Sequence, residues 1–403
     1  ADYQGRGYSI NSRTAFQYIS DHQGIDQDFS PKSIYFARQD MKQKMFSEEL
    51  NIKSTTPGCY KWLFGAFGFW QGIDNTVTLD YFTKNYATRK LYDTPTYGVA
   101  FYHQSTIDDL LTRGLSLTFG IRYDYEHTSN DFLFYKETDG GSKQMDAFDS
   151  RLKFSQVTPK IALQYMLLYA TVTKGYKTGG FNTSFDREED RTFRPETSWN
   201  YELGAKHPLL DNRLNAEICF FWIDWKNQQI YQMLATQNGQ FLRNAGRSES
   251  KGVEVSLQGN PVNGLMVQVN YGFTHATFKD YKDERKGIDY SGNFLPMVPR
   301  HTFAVGADYT IPNPCRHIDR FTISANYTGT GRIQWKEDNK ISQPYYGLLN
   351  AKVSATKDFI TFAIWGKNMT GADYSAFYFE TGGKGLAQKG RPFTIGGNIQ
   401  LNF

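Results

Sequence analysis

The feature that most constrains this chain is a side-chain alternation of period two that recurs in segment after segment. Between Leu115 and Tyr125 the odd-numbered residues are apolar, and the even-numbered residues are polar or glycine. Successive side chains of a β-strand point to opposite faces of its sheet, so the segment predicts a strand with one apolar and one polar face. The same alternation recurs over residues 253–258, 265–273, 303–309, 321–327 and 393–403.

Strand length and loop asymmetry distinguish a membrane barrel from a soluble antiparallel sandwich. Several predicted strands run about ten residues, which is the length that a tilted membrane strand needs. Short turns on one side and long loops on the other are typical of outer-membrane barrels, with the turns periplasmic. The sequence therefore favours an all-β fold, a transmembrane antiparallel β-barrel. Short connections are predicted near 208–213, 260–264, 311–319 and 356–358, and long polar ones near 177–197, 226–247, 279–299, 331–344 and 369–390.

Composition is compatible with a barrel, although mean hydropathy is −0.57. A barrel escapes hydropathy scans because every second residue faces the lumen, and rings at the membrane interfaces account for an aromatic content of 16%. The 45 basic and 41 acidic residues leave a net charge of only +4, which does not predict a nucleic-acid partner.

The strand count predicts that part of the barrel lies outside these residues. Counting back from Phe403 gives about 17 strands, the first near Gly5–Ile10. A closed bacterial barrel has an even number of strands, so we expect an odd number of strands to precede residue 1. The alternation also changes phase between Tyr165 and Leu168 without turn residues, which predicts either missing residues near Tyr165–Met166 or a β-bulge.

Four stretches carry a family resemblance. In this order and at this spacing they resemble the C-terminal two-thirds of a TonB-dependent outer-membrane receptor of the siderophore or iron-complex type. They are LYATVTKGYKTGGFN (Leu168–Asn182), RPETSWNYELGAK (Arg194–Lys206), NAGRSESKGVEVSL (Asn244–Leu257), and WGKNMTGADY (Trp365–Tyr374) followed by GRPFTIGGNIQLNF (Gly390–Phe403).

The resemblance implies a barrel of about 22 strands, with residues 1–403 as a partial barrel and an N-terminal plug and TonB box outside them. It implies active, TonB-dependent import of a scarce nutrient complex, with a ferric siderophore as the leading candidate. Haem, cobalamin or an oligosaccharide are alternatives for the same machinery. Two other functional interpretations remain open, namely a passive porin and a soluble carbohydrate-binding β-protein.

Partners and location follow from the same resemblance. It implies a monomer in the bacterial outer membrane, surrounded by lipid and lipopolysaccharide. The TonB complex would act through the missing N-terminal segment, and the ligand would be a siderophore-like small molecule. No intrinsic cofactor is expected, because any iron belongs to the transported ligand.

Side-chain parity assigns Arg122, Asp124, Glu202, Lys206 and Glu254 to the lumen of the predicted barrel. A charge on the lipid face costs about 2–4 kcal/mol at mid-membrane, so these groups must face inward. They could dock the plug or guide the ligand. The alternative is that they pair with one another and with water.

The predicted long loop 177–197 contains three arginines beside three phenylalanines. Guanidinium groups and rings can capture an anionic chelate through charge-assisted hydrogen bonds and cation–π contacts. The acidic run 188–190 favours instead a loop that neutralises its own charge. The candidate substrate-binding residues are Phe181, Arg187, Arg191 and Arg194.

No motif predicts an enzyme or a metal site. The histidines lack zinc-site spacing, the three cysteines are far apart, and no nucleophile-elbow motif is present. Phe403, an aromatic residue that ends an amphipathic strand, resembles the barrel-assembly signal of outer-membrane proteins.

Overall fold

The chain folds almost entirely into β-strands in a computed structural model. The structure describes residues 1–185, 187–234, 240–244, 246–283, 286–381 and 383–402. These residues contain no helix long and apolar enough to span a membrane.

Twenty-seven strands are present among the described residues. The first twelve are β1 (Asp2–Gln4), β2 (Tyr8–Asp26), β3 (Tyr35–Ser54), β4 (Tyr60–Tyr81), β5 (Tyr86–Ile107), β6 (Leu115–Thr138), β7 (Gly141–Tyr165), β8 (Leu168–Lys177), β9 (Gly180–Phe181), β10 (Thr192–Phe193), β11 (Glu196–Leu209) and β12 (Leu214–Lys226). The others are β13 (Gln229–Met233), β14 (Gln240–Asn244), β15 (Arg247–Val262), β16 (Leu265–Asp280), β17 (Lys282–Asp283), β18 (Ile288–Asp289), β19 (His301–Cys315), β20 (Ile318–Thr330), β21 (Ile333–Gln334), β22 (Ser342–Gln343), β23 (Tyr346–Lys357), β24 (Ile360–Lys367), β25 (Ser375–Thr381), β26 (Lys384–Lys389) and β27 (Thr394–Leu401).

The strands of the described residues form one large sheet and five small ones. Seventeen strands belong to the large sheet, and β9–β10, β13–β14, β17–β18, β21–β22 and β25–β26 each form a two-stranded sheet. Every strand pair with a defined register is antiparallel, for example β2 with β3 and β20 with β23. The 17 strands of the large sheet agree with the predicted count of about 17 barrel strands, whereas the total of 27 is larger because the ten short strands inside the long loops were not predicted.

The predicted alternation of short and long connections is confirmed. Short turns occupy residues 210–213, 263–264, 316–317 and 358–359. The long connections are residues 178–195, 227–246, 281–300, 331–345 and 368–393, and each contains one of the small sheets. Successive antiparallel strands alternate in direction, so the long connections all leave from one end of their strands.

Two details near strand ends differ from the prediction. The first strand is Asp2–Gln4, and Tyr8 already begins β2, so the predicted first segment Gly5–Ile10 includes the connection between them. The phase change near Tyr165 falls at a two-residue turn, Met166–Leu167, in which Met166 has a φ of 51°. A positive φ is needed in tight hairpin turns, so no additional residues are required there.

The chain divides into two compact units. Unit 1 comprises Ala1–Leu163, Thr173–Thr197 and Gln229–Asn244, and unit 2 comprises Gln164–Val172, Ser198–Gln228 and Ala245–Phe403. In each unit we call the sheet face with exposed apolar rows the outer face and the opposite face the inner face.

In unit 1 the outer face carries an aromatic row. Phe16, Phe46, Trp70, Tyr97 and His127 are successive partners across β2 to β6. The first four rings are 46–70% exposed. Exposed aromatic rows occur on the lipid-facing walls of membrane barrels, where they flank the apolar band.

In unit 2 the outer face carries a mostly aliphatic row. Tyr309, Ile323, Val353 and Ile364 are successive partners across β19 to β24 and are 41–50% exposed. A soluble sandwich would bury such a row between its sheets. Exposure of apolar rows on neighbouring strands is the arrangement that a lipid-facing wall requires.

Glycines lie opposite aromatic rings on several neighbouring strands. Gly252 is the partner of Phe221, and Gly329 is the partner of Phe303. A Cβ atom on Gly252 would overlap the carbonyl oxygen of Phe273 and would approach the Phe221 ring to 2.7 Å. The glycine of the KGVEV stretch therefore leaves room for the ring and for the adjacent strand.

We expect Gly252→Ala to disrupt pairing of β15 with β16, because the carbonyl overlap involves backbone that cannot rotate away. Overpacking of this kind costs at least about 1–3 kcal/mol. The fraction of folded barrel can be measured by heat-modifiable electrophoretic mobility. Gly306→Ala is the control, because the nearest atoms to its added Cβ lie 3.9 Å away. Equal folded fractions for the two variants would contradict the argument.

Candidate functional site

In unit 1, loop 178–195 folds against the inner face of the strands through an aromatic cluster. Phe185 lies 6.0 Å from the Phe132 ring and 5.8 Å from the Phe148 ring. Phe132 is buried, and its ring centroid lies 5.1 Å from that of Tyr92. Tyr92 donates its hydroxyl hydrogen to the carbonyl oxygen of Thr183. The strands therefore hold the loop by both apolar and polar contacts.

Arg191 holds the same loop against the strands. Its guanidinium lies 4.1 Å from the Phe148 ring centroid, and it pairs with Asp146 at 3.4 Å and with Glu188 at 3.0 Å. A cation–π contact contributes about 0.5–2 kcal/mol, with the larger values at desolvated sites. The Nε–H group of Arg191 is buried and has no acceptor among the described residues.

The other candidate residues of this loop have different surroundings. Arg187 is exposed and pairs with Glu189 at 3.1 Å. Arg194 is also exposed, and only its backbone groups have a described hydrogen bond. Phe181 is half-buried in β9. The structure thus joins Arg191 to the phenylalanine cluster and leaves two arginine side chains toward solvent.

A tyrosine row that the sequence reasoning missed lies at the tips of β3 to β5. Tyr81 is the strand partner of both Tyr35 and Tyr86, with ring separations of 6.1 and 4.6 Å. The Lys136 ammonium lies 4.4 Å from the centre of the Tyr86 ring. By parity these residues share the inner face with Phe132, so the alternation could have revealed them had the strands been traced to full length.

In unit 2 the long loops pack on one another. Asn339 accepts a hydrogen bond from the Phe294 backbone N–H at 2.7 Å and donates to its carbonyl oxygen at 2.9 Å. Lys336 pairs with Glu380 at 2.5 Å. Partial burial, the largest single effect, lowers the pKa of Lys336, but the hydrogen bond to Glu380 and the negative charges of Glu380 and Asp338 together hold the pKa above its ordinary value. These loops are therefore a folded layer, with Phe278 fully buried at its base.

The charged wall residues of unit 1 pair on the inner face. Arg122 and Asp124 lie 2.8 Å apart, and the guanidinium also lies 5.2 Å from the Tyr102 ring centroid. On the same strand Ile121 and Tyr123 are exposed on the outer face.

In unit 2 the acidic wall residues line a cavity of about 860 Å³. Glu202 accepts a hydrogen bond from Asn200 at 2.6 Å, and Glu254 lies on the same cavity wall. Lys206 pairs with Glu217 at 3.3 Å. Leu203, adjacent to Glu202 in sequence, is 60% exposed on the outer face.

The described residues contain no group of three or more potential metal ligands. Cys59, Cys219 and Cys315 are free thiols. Phe403, the predicted assembly signal, lies outside the described residues.

The curated relatives of this chain include two receptors for metal chelates. The chain is 25% identical to the ferric-pyoverdine M114 receptor PbuA of Pseudomonas sp. strain M114 over 59% of this chain and 28% of that protein. It is 24% identical to the metal-pseudopaline receptor CntO of Pseudomonas aeruginosa over 70% of this chain and 38% of that protein. The chain thus spans well under half the length of either relative.

Solved structures share the fold. The ferric yersiniabactin uptake receptor FyuA of Yersinia pestis superposes with a TM-score of 0.84 at 20% identity, over 100% of this chain and 60% of that chain. The siderophore receptor PiuA of Acinetobacter baumannii superposes with a TM-score of 0.76 at 16% identity, over 99% and 62%. These matches confirm the predicted fold class.

The family comparison confirms the resemblance noted in the sequence. Residues 1–369 match the model described as TonB dependent receptor-like, beta-barrel. The match covers most of the 403 residues. The chain therefore belongs to the TonB-dependent receptor-like β-barrel family.

Proposed function

We propose that this chain is the barrel portion of an outer-membrane receptor that imports a ferric siderophore with energy from the TonB complex. The observation that carries the proposal is the folded loop layer at one end of a sheet whose outer face is apolar. Such a wall suits lipid, and such loops suit recognition of a ligand from outside. The relatives are named as receptors for ferric or metal chelates, which supports the same class of ligand.

The charges and rings of unit 1 favour an anionic chelate that carries aromatic groups. Arg187 and Arg194 present exposed guanidinium groups, which bind carboxylate or phenolate oxygens through charge-assisted hydrogen bonds. Tyr81 and Tyr86 offer ring surface beside the Lys136 ammonium. In this proposal Arg191 acts by holding the loop in place, and Phe181 contributes ring surface beside it.

Charged side chains on the inner face would bind the plug. Glu202 and Glu254 line an open cavity wall, so a plug segment with basic or amide groups could pair with them. Arg122 and Asp124 already neutralise each other, so we assign them to the wall itself. The receptor is proposed to act as a monomer among lipid and lipopolysaccharide, without catalytic activity or a resident cofactor.

Uptake of radioactive metal, iron for the chelates and haem and cobalt for cobalamin, in a strain that lacks this gene tests the proposal. The probes are ferric complexes of a catecholate, a hydroxamate, a phenolate and citrate, together with haem and cobalamin. We expect uptake of one ferric chelate to be lost in the deletion strain and to be restored by the full-length gene. The same uptake should fall to background when tonB is deleted.

Two results would overturn the proposal. Rescue by non-metal substrates alone would exclude siderophore import. Uptake that persists without TonB and varies linearly with concentration would indicate passive diffusion through a pore.

A further inference from the structure

In unit 2 the outer face of β12, β15 and β16 changes from apolar to charged toward the long connections. Strand partners on this face form rows. The apolar rows are Ala216–Leu257–Val269, Ile218–Val255–Tyr271 and Phe220–Val253–Phe273. The next rows toward the long connections are Trp222–Lys251–His275 and Asp224–Glu249–Thr277. The charged groups therefore border directly on the apolar wall, and they do so at the long-loop end of these strands.

Glu249 organises this charged cluster. Its Oε1 atom contacts the Lys251 ammonium at 3.2 Å and the Lys279 ammonium at 3.0 Å. Its Oε2 atom accepts a hydrogen bond from Trp222 Nε1 at 3.2 Å. The Glu249 side chain is 15% exposed, whereas those of Lys251 and Lys279 are 55% and 43% exposed. The carboxylate is therefore covered, and the two ammonium groups that it holds face outward.

A second carboxylate is covered in the same way. Arg247 donates to both side-chain oxygens of Asp224, at 2.6 and 3.0 Å. Asp224 is 15% exposed, and Arg247 is 51% exposed. In the following row Lys226 and Asp280 flank Arg247, and their opposite charges offset each other. The cluster thus presents mainly cations to its surroundings, because its two central carboxylates lie beneath them.

The position of the cluster indicates what it meets. The outer face contacts lipid, so an anion bound there belongs to the membrane and not to the lumen. Tyr201 stacks on Trp222 with the ring centroids 5.0 Å apart, and both rings are exposed. Amphipathic rings of this kind lie at the level of lipid headgroups. Cations at that level attract anionic headgroups, of which phosphate is the common acceptor.

We propose that Lys251 and Lys279 bind a phosphate group of a phosphorylated glycolipid in the leaflet on the long-loop side, with Glu249 as a positioning residue. Both ammonium groups contact one Glu249 oxygen, so a single phosphate group can contact both of them. The Tyr201–Trp222 pair supplies ring surface for a sugar of the headgroup.

The inference rests on one part of the proposed function, which places the long loops outside the cell. Lipopolysaccharide is the phosphorylated glycolipid that this orientation brings to the cluster. Import of a particular chelate is not required for the lipid to bind. The site would fix the rotation of the receptor relative to its neighbouring lipids, since it occupies one side of the wall only.

Titration of the full-length receptor in detergent with bisphosphorylated lipid A, followed by native mass spectrometry, tests the site. Folding of every variant is monitored by heat-modifiable electrophoretic mobility. The double variant Lys251→Gln/Lys279→Gln should bind lipid A at least about tenfold more weakly than the native receptor, since two charge-assisted contacts are lost. Lipid A without its phosphates should bind the native receptor and the double variant equally.

Lys357→Gln is the matched control. Lys357 lies at the short-turn end of β23 in the same unit, is 48% exposed, and pairs with Asp319 at 2.8 Å. Its exposure and its acidic partner resemble those of Lys251 and Lys279, but it lies at the other end of the strands. Lys357→Gln should therefore leave lipid A affinity within about twofold of the native value.

Glu249→Gln separates a built site from a diffuse positive charge. Removal of a negative charge strengthens phosphate binding if only the net charge of the surface matters. If Glu249 positions the two ammonium groups, the same substitution weakens binding because the lysine side chains lose their common anchor. We expect weaker binding, by at least about threefold.

Three results would overturn the proposal. The double variant would bind lipid A as well as Lys357→Gln does, or Glu249→Gln would bind it more tightly than the native receptor. Displacement of lipid A by millimolar inorganic phosphate would instead indicate a site for the free anion. The titration contains neither chelate nor TonB, so its failure leaves the uptake experiment unaffected, and failure of chelate uptake leaves the lipid measurement valid.

Discussion

Ile323→Arg is expected to lower the free energy of unfolding by about 2–4 kcal/mol, because it places a charge on the lipid face of the wall. Ile323 is 44% exposed on the outer face of unit 2, between Tyr309 and Val353 on the neighbouring strands. The guanidinium would enter hydrocarbon without a partner. Urea titration of the barrel refolded into phospholipid vesicles measures the change.

Ser324→Arg is the matched control for this substitution. Ser324 is adjacent in sequence but lies on the inner face, between Asp308 and Lys352. An added cation there meets water, a carboxylate and an ammonium group, whose screened effects oppose each other, so we expect a change below about 1 kcal/mol. Comparable losses for the two variants would mean that the two faces contact similar media, contrary to the account.

Arg191→Glu is expected to weaken binding of the transported ferric chelate at least about tenfold. The substitution removes the guanidinium stacked on Phe148 and places a third carboxylate beside Asp146 and Glu188. Loop 178–195 should then detach from the strands. Titration of the purified receptor with the chelate that supports uptake measures affinity. Limited proteolysis measures whether the loop has detached from the strands.

The charge-matched control is Lys143→Glu, at an exposed cation near the start of β7. It should leave affinity within about threefold of the native value, since a charge that is exposed to solvent is screened by salt. Full affinity in Arg191→Glu would remove Arg191 from the ligand site and from its support. Lost affinity with an intact proteolytic pattern would instead indicate direct contact with the ligand.

Much of the fold could be predicted because its physical causes are local. Alternation such as Leu115–Tyr125 reports which face of a strand is apolar, and polar runs such as 279–299 mark the long connections. Strand length was underestimated where both faces become polar. Residues 38–44 of β3 read Arg-Gln-Asp-Met-Lys-Gln-Lys, yet the strand continues through them to a length of 20 residues. Such ends are held by neighbouring strands, which no local pattern reveals.

The candidate site was only partly predictable. Sequence proximity placed Arg191 among phenylalanines, but its partners Asp146 and Phe148 lie on another strand. The side-chain hydrogen bonds of Asn182 and Asn244 join residues that lie 50 to 60 positions apart in sequence. The motifs contain these two residues, but they do not indicate which groups the residues bind. Phe181, Arg187 and Arg194 remain predictions as ligand-contacting residues, and the inward roles of Glu202, Lys206 and Glu254 remain predictions as well.

We infer that alternate side chains of each strand contact different media. The most direct test replaces Cys59, Cys219 and Cys315 with serine and attaches a nitroxide at each position from Phe321 to Thr328 of β20 in lipid nanodiscs. Collisions with oxygen should peak at odd positions, and collisions with a water-soluble nickel chelate should peak at even positions. A profile without a two-residue period, or one in which the nickel chelate reaches the odd positions, would contradict this inference.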